Sequence, residues 1–536
     1  MSDTPLSRRD VLREGRDVAS LLTLSTFLPG GLAQASSQPD RDASLRTTPD
    51  VYRPIGVRPL INARGTYTII SGSLMLPEVR AAMDAAAQQY VHLDELTEAI
   101  GARLATLTGA EWGLVTSGCA AALTHATAAC VAGGNPDLHI RIPHLAGFAK
   151  SEVIIPKHSR NVYDAAVRVV GVSVLEVETV AELEAAIGPR TAMVYVLAGP
   201  EADASPLKLE AIAPVARAKA VPILVDAAAE ILTIPNVHLE KGATLVAYSG
   251  GKCLRGPQSA GLLLGRKDLV RAAWVHSAPH HGFARSMKVG KEEAIGMLTA
   301  VEMWVKRDHD AEWKRWSASL DHIAARVSSI RGVTTTIELP RGLSNRTPSL
   351  KVLWNRERLG LTGESVMQTL LGGEPRVALF AASDAQDPAN TGVSITPYML
   401  SPGEERIVAD RLHALLSSAA PARRTTESSA AADVTGQWDV RIEYAAGVST
   451  HAFYVKQRGR DIDGTHRGDF ITRDLSGAID GDAVRLRSFY GEEHGDALSF
   501  TFTGTVAGDR MSGTLDMGEY LAATWSAQRH NGFRAS

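Results

Sequence analysis

The sequence predicts an α/β protein: helices cover both faces of a mostly parallel sheet, a small α+β subdomain follows, and an all-β barrel or sandwich ends the chain. Three observations carry this prediction for the chain of 536 residues. Nearly continuous apolar runs alternate with helix-like segments over residues 51–283, as buried parallel strands require. Residues 417–433, rich in Ser, Ala and Thr, are typical of a linker. Short strand-like segments with Gly-Asp turns fill residues 434–536.

The predicted elements of the α/β part follow one another in a regular order. Leu76 to Tyr90 has helical spacing and is rich in alanine. WGLVTSG predicts a strand that runs into a turn, and AAALTHATAACVAG predicts the helix behind it. Four further apolar runs predict buried strands: SEVIIP, AMVYVLAG, VPILVDAAAE and ATLVAYSGG. A long helix-like segment and then mixed patterns over residues 284–416 predict a smaller C-terminal subdomain of the same unit.

The composition excludes some classes of function. The 56 basic and 59 acidic residues give a net charge of −3, which offers no electrostatic reason to expect a nucleic-acid partner. Cys119, Cys130 and Cys253 fit no zinc motif, and their odd number argues against a disulfide framework. We therefore expect three buried or half-buried thiols and no metal site.

The N-terminus has the pattern of an export signal over residues 1–35, followed by a polar spacer over residues 36–50. A charged segment with the Arg8-Arg9 pair precedes an apolar stretch and an A-x-A cleavage pattern, Ala33 to Ala35. The arginine pair resembles a twin-arginine signal. The prediction is a periplasmic or extracytoplasmic protein without stable membrane insertion, and the alternative is a cytoplasmic protein with a basic N-terminal tail.

Lys252 has sequence neighbours that a surface lysine does not need. Lys252 lies in AYSGGKCLRGPQSAGLLLG, between two glycine-rich turns and beside Ser249. One strand earlier, Asp226 ends a buried apolar run, where open α/β sheets bind ligands; capping the next helix is its alternative role. The turn of Ser117, Gly118 and Cys119 begins a helix, and helix N-termini bind phosphate.

These residues together predict a pyridoxal 5'-phosphate site. Lys252 would form the Schiff base, and Asp226 would partner the pyridinium nitrogen so that the ring accepts electrons. Arg376, in GGEPRVALF, is predicted to bind a substrate carboxylate from the small subdomain. His158 follows a buried strand and is predicted to stack on the ring or shuttle protons, with a structural role as the alternative.

Five segments resemble the selenocysteine synthase-like (L-seryl-tRNA selenium transferase-like) family of fold-type I pyridoxal phosphate enzymes, over about residues 52–416. They are LINARGTYT, LTGAEWGLVTSGCAAAL, VDAAAE, SGGKCLRGPQSAGLLLGRKDL and ARSMKVGKEE. The resemblance implies Lys252 as the Schiff-base lysine and Asp226 as the partner of the ring nitrogen. It also implies a homodimer or larger oligomer with sites at subunit interfaces. The residues that the resemblance places around the phosphate are Ser117, Gly118, Cys119 and Ser249.

Some residues depart from the family's pattern or have open roles. Arg64 stands in INARGT where a small or uncharged residue is expected. Its two alternative roles are to bind an anionic group of the substrate or to be a surface arginine at the start of a strand. Arg285 and Lys288 reach a neighbouring subunit's site or only begin a solvated helix. The export signal replaces a tRNA-binding region, which argues against selenium transfer to tRNA.

The sequence therefore predicts a lyase that acts on a small amino acid. Lys252 would remove the α-proton, and a group on the β-carbon would leave, with a keto acid and ammonia as products. Racemisation, aldol cleavage and transamination share the first steps and remain alternatives. A binding or sensing protein that works through the β-domain is the alternative of another class. Trp438 and Trp525 are expected to fill the core of that β-domain.

Overall fold

The computed structural model describes residues 50–419, 432–491 and 497–530. The predicted export signal and most of the spacer and linker lie outside these residues. The strands up to residue 265 are β1 Leu60–Asn62, β2 Trp112–Thr116, β3 Glu152–Pro156, β4 Ser173–Val177, β5 Thr191–Leu197, β6 Ile223–Asp226, β7 Leu245–Ser249 and β8 Gly261–Gly265. The helices up to residue 306 are Pro77–Ala87, Leu93–Thr108, Cys119–Ala132, Pro136–His139, Ala165–Arg168, Val180–Ala186, Pro200–Ala204, Leu209–Ala218, Val237–Glu240, Lys267–Val275 and Lys291–Lys306.

One mixed sheet organises the large domain. In the part of the chain that is described, seven strands pair in the order β2–β8–β7–β6–β5–β3–β4. β8 is antiparallel to both of its neighbours, and all the other strands run in one direction. The mostly parallel sheet predicted from the sequence is thus confirmed. The carboxyl ends of β2, β3, β5, β6 and β7 meet at one edge of the sheet.

Both faces of the sheet are buried, which explains the unbroken apolar runs. Tyr195 of β5 faces one core, whereas Val194 and Val196 of the same strand face the other. Helix Cys119–Ala132 contributes to the first core and helix Lys291–Lys306 to the second. Burying each large apolar side chain stabilises the fold by about 1.5–3 kcal/mol.

The small subdomain contains the strands β9 Val333–Glu338, β10 Ser349–Asn355, β11 Arg376–Ala378, β12 Phe380–Ser383 and β13 Asn390–Ile395. Its helices are His309–Val327, Arg356–Leu359, Gly363–Gly372 and Glu404–Ser417. Among the described residues, β12–β13–β10–β9 form a four-stranded antiparallel sheet. This is the α+β pattern that the sequence predicts for the region.

The division between the two domains is less simple than the predicted boundary between residues 283 and 284. β1 pairs in parallel with β11, and Ile61 and Ala63 pack into the core of the small subdomain. Met297 and Trp304, by contrast, pack into the core of the large domain. The small subdomain therefore includes residues that precede the large domain in the sequence. The sequence did not indicate this, because strand pairing across some 300 positions leaves no mark on local periodicity.

The C-terminal domain is a barrel. Its strands are β14 Gly436–Glu443, β15 Val448–Arg458, β16 Asp461–Arg467, β17 Thr472–Asp480, β18 Ala483–Gly491, β19 Ala497–Ala507, β20 Arg510–Asp516 and β21 Ala522–Arg529. Within the described residues these eight strands close on themselves through the pairing of β14 with β21. Trp438 and Trp525 are 0% and 2% exposed in its core, as the sequence predicts.

Within residues 50–419, 432–491 and 497–530, no helix combines enough length with enough apolar character to cross a membrane.

We predict that Gly261→Ala disrupts the edge of the sheet where the strands end. A Cβ on Gly261 would lie 2.3 Å from the carbonyl carbon of Gly118, so the backbone of one segment has to move. The expected loss is about 1–3 kcal/mol of unfolding free energy in urea, the usual cost of overpacking.

Gly188→Ala is the matched control, because a Cβ at Gly188 meets no atom within 4 Å. Equal stability of the two alanine variants would contradict the close approach of β8 to the turn at Gly118.

Candidate active site

The ends of the parallel strands bring the predicted site residues to one place. Asp226 is the last residue of β6, and its register in the sheet sets it opposite Leu197 of β5 and Ala247 of β7. Lys252 follows the end of β7 by three residues, and His158 follows the end of β3 by two. Parallel order thus explains why residues far apart in the sequence meet at this edge.

Asp226 is held by hydrogen bonds although it is only 2% exposed. Its Oδ2 accepts from the Tyr195 hydroxyl at 3.0 Å, and its Oδ1 accepts from the Ala228 N–H at 3.0 Å. Burial raises the pKa of the Asp226 carboxyl, while these bonds and the charge of Lys252 oppose that rise. The next helix begins only at Val237, so Asp226 does not cap it.

Tyr195 is a site residue that the sequence reasoning missed. Its hydroxyl donates to Asp226 and accepts from Asn161 Nδ2 at 3.1 Å. Burial and the neighbouring Asp226 raise the pKa of Tyr195 well above its usual value, so the hydroxyl remains a donor. The only signal in the sequence was a tyrosine inside a buried strand, whose hydroxyl must find a partner.

Lys252 lies in a turn that is packed too closely for side chains. A Cβ on Gly251 would lie 2.7 Å from the Cα of Gln258, which explains the glycine framing of the lysine. The Lys252 carbonyl accepts from the Arg255 N–H at 3.0 Å. Its side chain lines a large cleft and makes no hydrogen bond or ion pair with any described residue.

The predicted phosphate-binding residues lie around the start of helix Cys119–Ala132. Gly118 has a positive φ of 88°, and Ser117 Oγ donates to the Met287 carbonyl at 3.0 Å. Ser249 lines a smaller pocket that Lys252 shares. The Cys119 thiol turns instead toward Asp226 Oδ1, at 3.7 Å, and burial raises its pKa well above the usual value, so it stays neutral. Cys119 therefore has only its backbone N–H to offer a phosphate.

His158 occupies the short 3-10 turn Lys157–Ser159 after β3. Its Nε2 is buried and has no hydrogen-bond partner, and burial lowers the pKa of the imidazole, so it is neutral near pH 7. A buried ring nitrogen without a partner, an anchored carboxylate and an unpaired lysine fit pyridoxal phosphate. Asp226 would bind the ring nitrogen, Lys252 the aldehyde carbon, and the start of helix Cys119–Ala132 the phosphate.

A cleft of about 1130 Å³ opens from Lys252 between the large domain and the small subdomain. The loop around Arg64, the junction around Arg307 and residues 338–349 form much of its wall. Its aromatic residues are Tyr67, Trp304, Trp313, Trp316, Phe380 and Tyr398. Its carboxylates are Asp310, Glu312 and Glu338.

The structure places Arg64, for which a substrate anion or a surface position were the alternatives, in the wall of this cleft. The Arg64 guanidinium lies 4.3 Å from the centre of the Phe380 ring and 5.2 Å from that of Tyr67. Its Nε is buried and has no hydrogen-bond partner. An arginine held by aromatic faces with a free N–H is suited to bind an anion.

Arg307 lines the same cleft, and the sequence reasoning missed it. Its Nη2 donates to the carbonyl of Cys253, next to Lys252, at 2.8 Å. Its side chain is 9% exposed, and its Nε and Nη1 have no hydrogen-bond partner. Glu312 Oε1 is 3.9 Å from Nη1, beyond hydrogen-bond distance. The sequence WVKRDHDAEW is only a charged helix junction, so it gave no signal of this position.

The prediction for Arg376 is wrong for this chain. Its Nε donates to the Leu371 carbonyl at 2.9 Å and its Nη1 to the Arg58 carbonyl at 3.2 Å. Arg376 does not line the cleft and instead ties the start of β11 to neighbouring backbone. Arg285 likewise donates to the Pro279 carbonyl at 2.9 Å, and neither it nor Lys288 lines the cleft.

Comparison with known proteins agrees with this geometry. The family model Aminotransferase class-V matches residues 84–282. D-glucosaminate-6-phosphate ammonia lyase of Salmonella typhimurium is 32% identical over 384 residues, which cover 70% of this chain and 100% of that protein. A solved structure of D-glucosaminate-6-phosphate ammonia-lyase superposes with a TM-score of 0.61 at 30% identity, over 69% of this chain and 99% of that one.

Two further relatives carry out different reactions, to judge by their names. 5'-C-glycyluridine monooxygenase-decarboxylase of a Streptomyces species is 30% identical over 68% of this chain and 92% of its own length. L-seryl-tRNA(Sec) selenium transferase of Moorella thermoacetica is 25% identical over 61% of this chain and 71% of its own length.

The fold and the site define a fold-type I enzyme whose cofactor is pyridoxal 5'-phosphate. The chain belongs to the family that contains D-glucosaminate-6-phosphate ammonia lyase, and its relationship to the selenium transferases agrees with the predicted resemblance. The predicted lyase class is confirmed at this level.

We predict that Tyr195→Phe destabilises the protein by about 1–3 kcal/mol in urea at pH 7, the cost of buried polar groups without partners. The change leaves Asn161 Nδ2 and Asp226 Oδ2 without the hydroxyl that they share. The hydroxyl favours the Asp226 carboxylate, so its loss raises the pKa of Asp226 further.

The sign of the pH dependence follows from this bond. The difference in stability between the variant and the wild type should shrink as the pH falls and Asp226 becomes protonated. Tyr163→Phe, at a tyrosine that is 61% exposed, is the control. An unchanged difference at low pH would mean that the hydroxyl does not act on the Asp226 charge.

Proposed function

We propose that this enzyme eliminates ammonia from an amino acid that carries a further anionic group. The observation that carries the proposal is the position of Arg307, whose guanidinium is fixed to the backbone beside Lys252. Its Nε and Nη1 have no hydrogen-bond acceptor among the described residues, and Glu312 is its ion-pair partner at 3.9 Å. Arg64 adds a second guanidinium to the same cleft. The relative's substrate, D-glucosaminate 6-phosphate, has by its name an amine, a carboxylate and a phosphate.

Pyridoxal phosphate supplies, when bound, an acceptor for the electrons that the substrate's α-carbon releases. Asp226 would keep a proton on the nitrogen of its ring, because Tyr195 and the Ala228 N–H hold the carboxylate in place. Lys252 Nζ would take the α-proton of the substrate, since it makes no competing contact in the described chain. His158, neutral and with Nε2 unpaired, would face the ring and pass protons.

The size of the cleft argues for a substrate longer than the small amino acid that the sequence suggested. A volume of about 1130 Å³ lies just above the usual range for small-molecule sites, about 300–1,000 Å³. Its aromatic walls suit a carbon chain, and its arginines suit the anionic groups at the ends of such a chain. A phosphorylated sugar acid fits these features.

The alternative reactions would use the same residues, and their products distinguish them. A decarboxylase relative at 30% identity means that bond choice varies within the family, so racemisation, aldol cleavage and transamination stay in the screen. A protein that only binds or senses through its barrel has no use for the Asp226–Tyr195 network, which disfavours that alternative.

We also propose that the enzyme is an oligomer and that it is exported. Ile69 and Leu74 are 82% and 62% exposed on the loop beside the pocket that Lys252 and Ser249 share, as an interface would require. Export rests on the charged, apolar and A-x-A segments of residues 1–35.

Lys252→Ala tests the cofactor and its lysine. The purified wild type should show a band at about 410–430 nm that borohydride abolishes, and the variant should lack the band and release no ammonia from D-glucosaminate 6-phosphate. Lys219→Ala, an exposed lysine outside the cleft, should behave as the wild type. A variant that kept the borohydride-sensitive band would exclude Lys252.

Arg307→Gln tests the anionic substrate. We expect kcat/KM for D-glucosaminate 6-phosphate to fall about 10- to 100-fold, the equivalent of about 1.5–3 kcal/mol for hydrogen bonds to a charged group. The absorbance band should persist, because Arg307 does not hold the cofactor. Arg331→Gln, outside the cleft, is the control. Unchanged kcat/KM would remove Arg307 from the substrate site.

A further inference from the structure

The C-terminal barrel buries an arginine in its interior. Arg473 is the second residue of β17 and is 7% exposed, although the other buried residues of that strand, Leu475 and Ile479, are apolar. A guanidinium keeps its charge at every physiological pH. Burying such a charge without a partner is costly, so its place among apolar residues needs a reason.

Within residues 50–419, 432–491 and 497–530, no group compensates this charge within bonding distance. The Nε and Nη1 of Arg473 are buried and have no hydrogen-bond acceptor, and Arg473 forms no ion pair with any residue in the described ranges. Its guanidinium lies 4.6 Å from the centre of the Phe500 ring. A cation–π contact attracts the charge to the ring face but leaves both N–H groups without a hydrogen-bond acceptor.

The histidines and serines near Arg473 form a hydrogen-bonded chain of uncharged groups. His451 Nδ1 and His466 Nε2 are 2.8 Å apart, and His466 Nδ1 is 2.7 Å from Ser488 Oγ. His451 Nε2 is 3.0 Å from Ser449 Oγ. Burial lowers the pKa of both histidines, that of His466 to about 3, so both are neutral near pH 7.

Among the described residues, Asp469 is the carboxylate whose charge acts on Arg473. Its Oδ2 lies 3.5 Å from His451 Nε2, its side chain is 52% exposed, and its charge acts on Arg473 from beyond ion-pair distance. Tyr444 is also close enough to Arg473 to act on its pKa, and its hydroxyl is 2.9 Å from Ser449 Oγ.

The backbone of the turn between β16 and β17 lies close to the guanidinium. A Cβ on Gly468 would lie 2.8 Å from Arg473 Nη1 and 3.6 Å from His451 Cε1, so only a glycine fits over the guanidinium. Phe470 in the same turn is 99% exposed and does not cover it. The interior of an eight-stranded barrel is either filled by side chains or holds one small ligand.

We propose that the barrel binds a small oxyanion, a carboxylate or a phosphate, at Arg473. The anion accepts hydrogen bonds from the guanidinium and neutralises it. This site belongs to the barrel and is independent of the cleft at Lys252, so it stands or falls separately from the proposed lyase reaction.

The test is calorimetric unfolding of the full-length holoenzyme in sodium acetate, sodium phosphate and sodium chloride at equal ionic strength. We expect acetate or phosphate to raise the Tm of the barrel's transition by about 5 °C or more at a hundredfold excess over Kd. A response to acetate alone identifies a carboxylate site, and a response to phosphate alone identifies a phosphate site.

Arg473→Met should abolish this rise. Two controls should keep it: Arg485→Gln, which removes a charge from the outer face of β18, and Arg307→Gln, which removes the buried arginine of the other cleft. If Arg473→Met does not fold, Asp469→Asn decides instead. Loss of the neighbouring carboxylate should strengthen anion binding and enlarge the rise.

The proposal is overturned if neither anion raises the Tm beyond chloride, or if the rise survives in Arg473→Met. It is equally overturned if Asp469→Asn lowers the Tm and no anion restores it. In that case Asp469 is the partner of Arg473 in solution and the charge is compensated within the protein.

Discussion

The arrangement of the site depends on one buried carboxylate. Asp226 ends β6 inside the protein, where an unpaired negative charge would be very costly. The neighbouring strand provides the Tyr195 hydroxyl, Asn161 supports that hydroxyl, and the chain after Asp226 turns back to offer the Ala228 N–H. A carboxylate held in this way keeps a fixed direction, which the pairing with a ring nitrogen requires.

The sequence predicted the site residues that can be recognised from their immediate sequence neighbours. Lys252 stands among glycines that a tight turn requires, and Asp226 ends an apolar run. Both could therefore be predicted as site residues without knowledge of the three-dimensional structure. Tyr195 and Arg307 were not, because their roles come from neighbours that are distant in the sequence: Asp226 is 31 positions from Tyr195, and Cys253 is 54 from Arg307. Arg376 shows the converse error, since the residue type suited a carboxylate but the fold directs it to backbone carbonyls.

The prediction of the fold likewise succeeded where local sequence patterns were sufficient. Apolar runs of strand length gave the mostly parallel sheet, and alternation with Gly-Asp turns gave the β-domain. Closure of that domain into a barrel depends on β14 meeting β21, and the small subdomain depends on β1 meeting β11. Neither pairing has a local signature, so the periodicity could indicate the elements but not these partners.

Buried charges of two kinds occur in this chain, and the difference between them separates support from function. Asp164 is fully buried but accepts from Arg160 at 2.6 Å and from Arg168 at 2.7 Å, so its charge is satisfied within the fold. Arg307 and Arg473 are almost as buried, yet the Nε and Nη1 of each have no hydrogen-bond acceptor among the described residues, and Arg307 has only a long ion pair of 3.9 Å with Glu312. The first pattern stabilises a structure that is complete. The second has a cost that the fold alone does not offset, and an anion that accepts those hydrogen bonds would remove it. The same physical argument therefore leads from Arg307 to the substrate cleft and from Arg473 to the barrel.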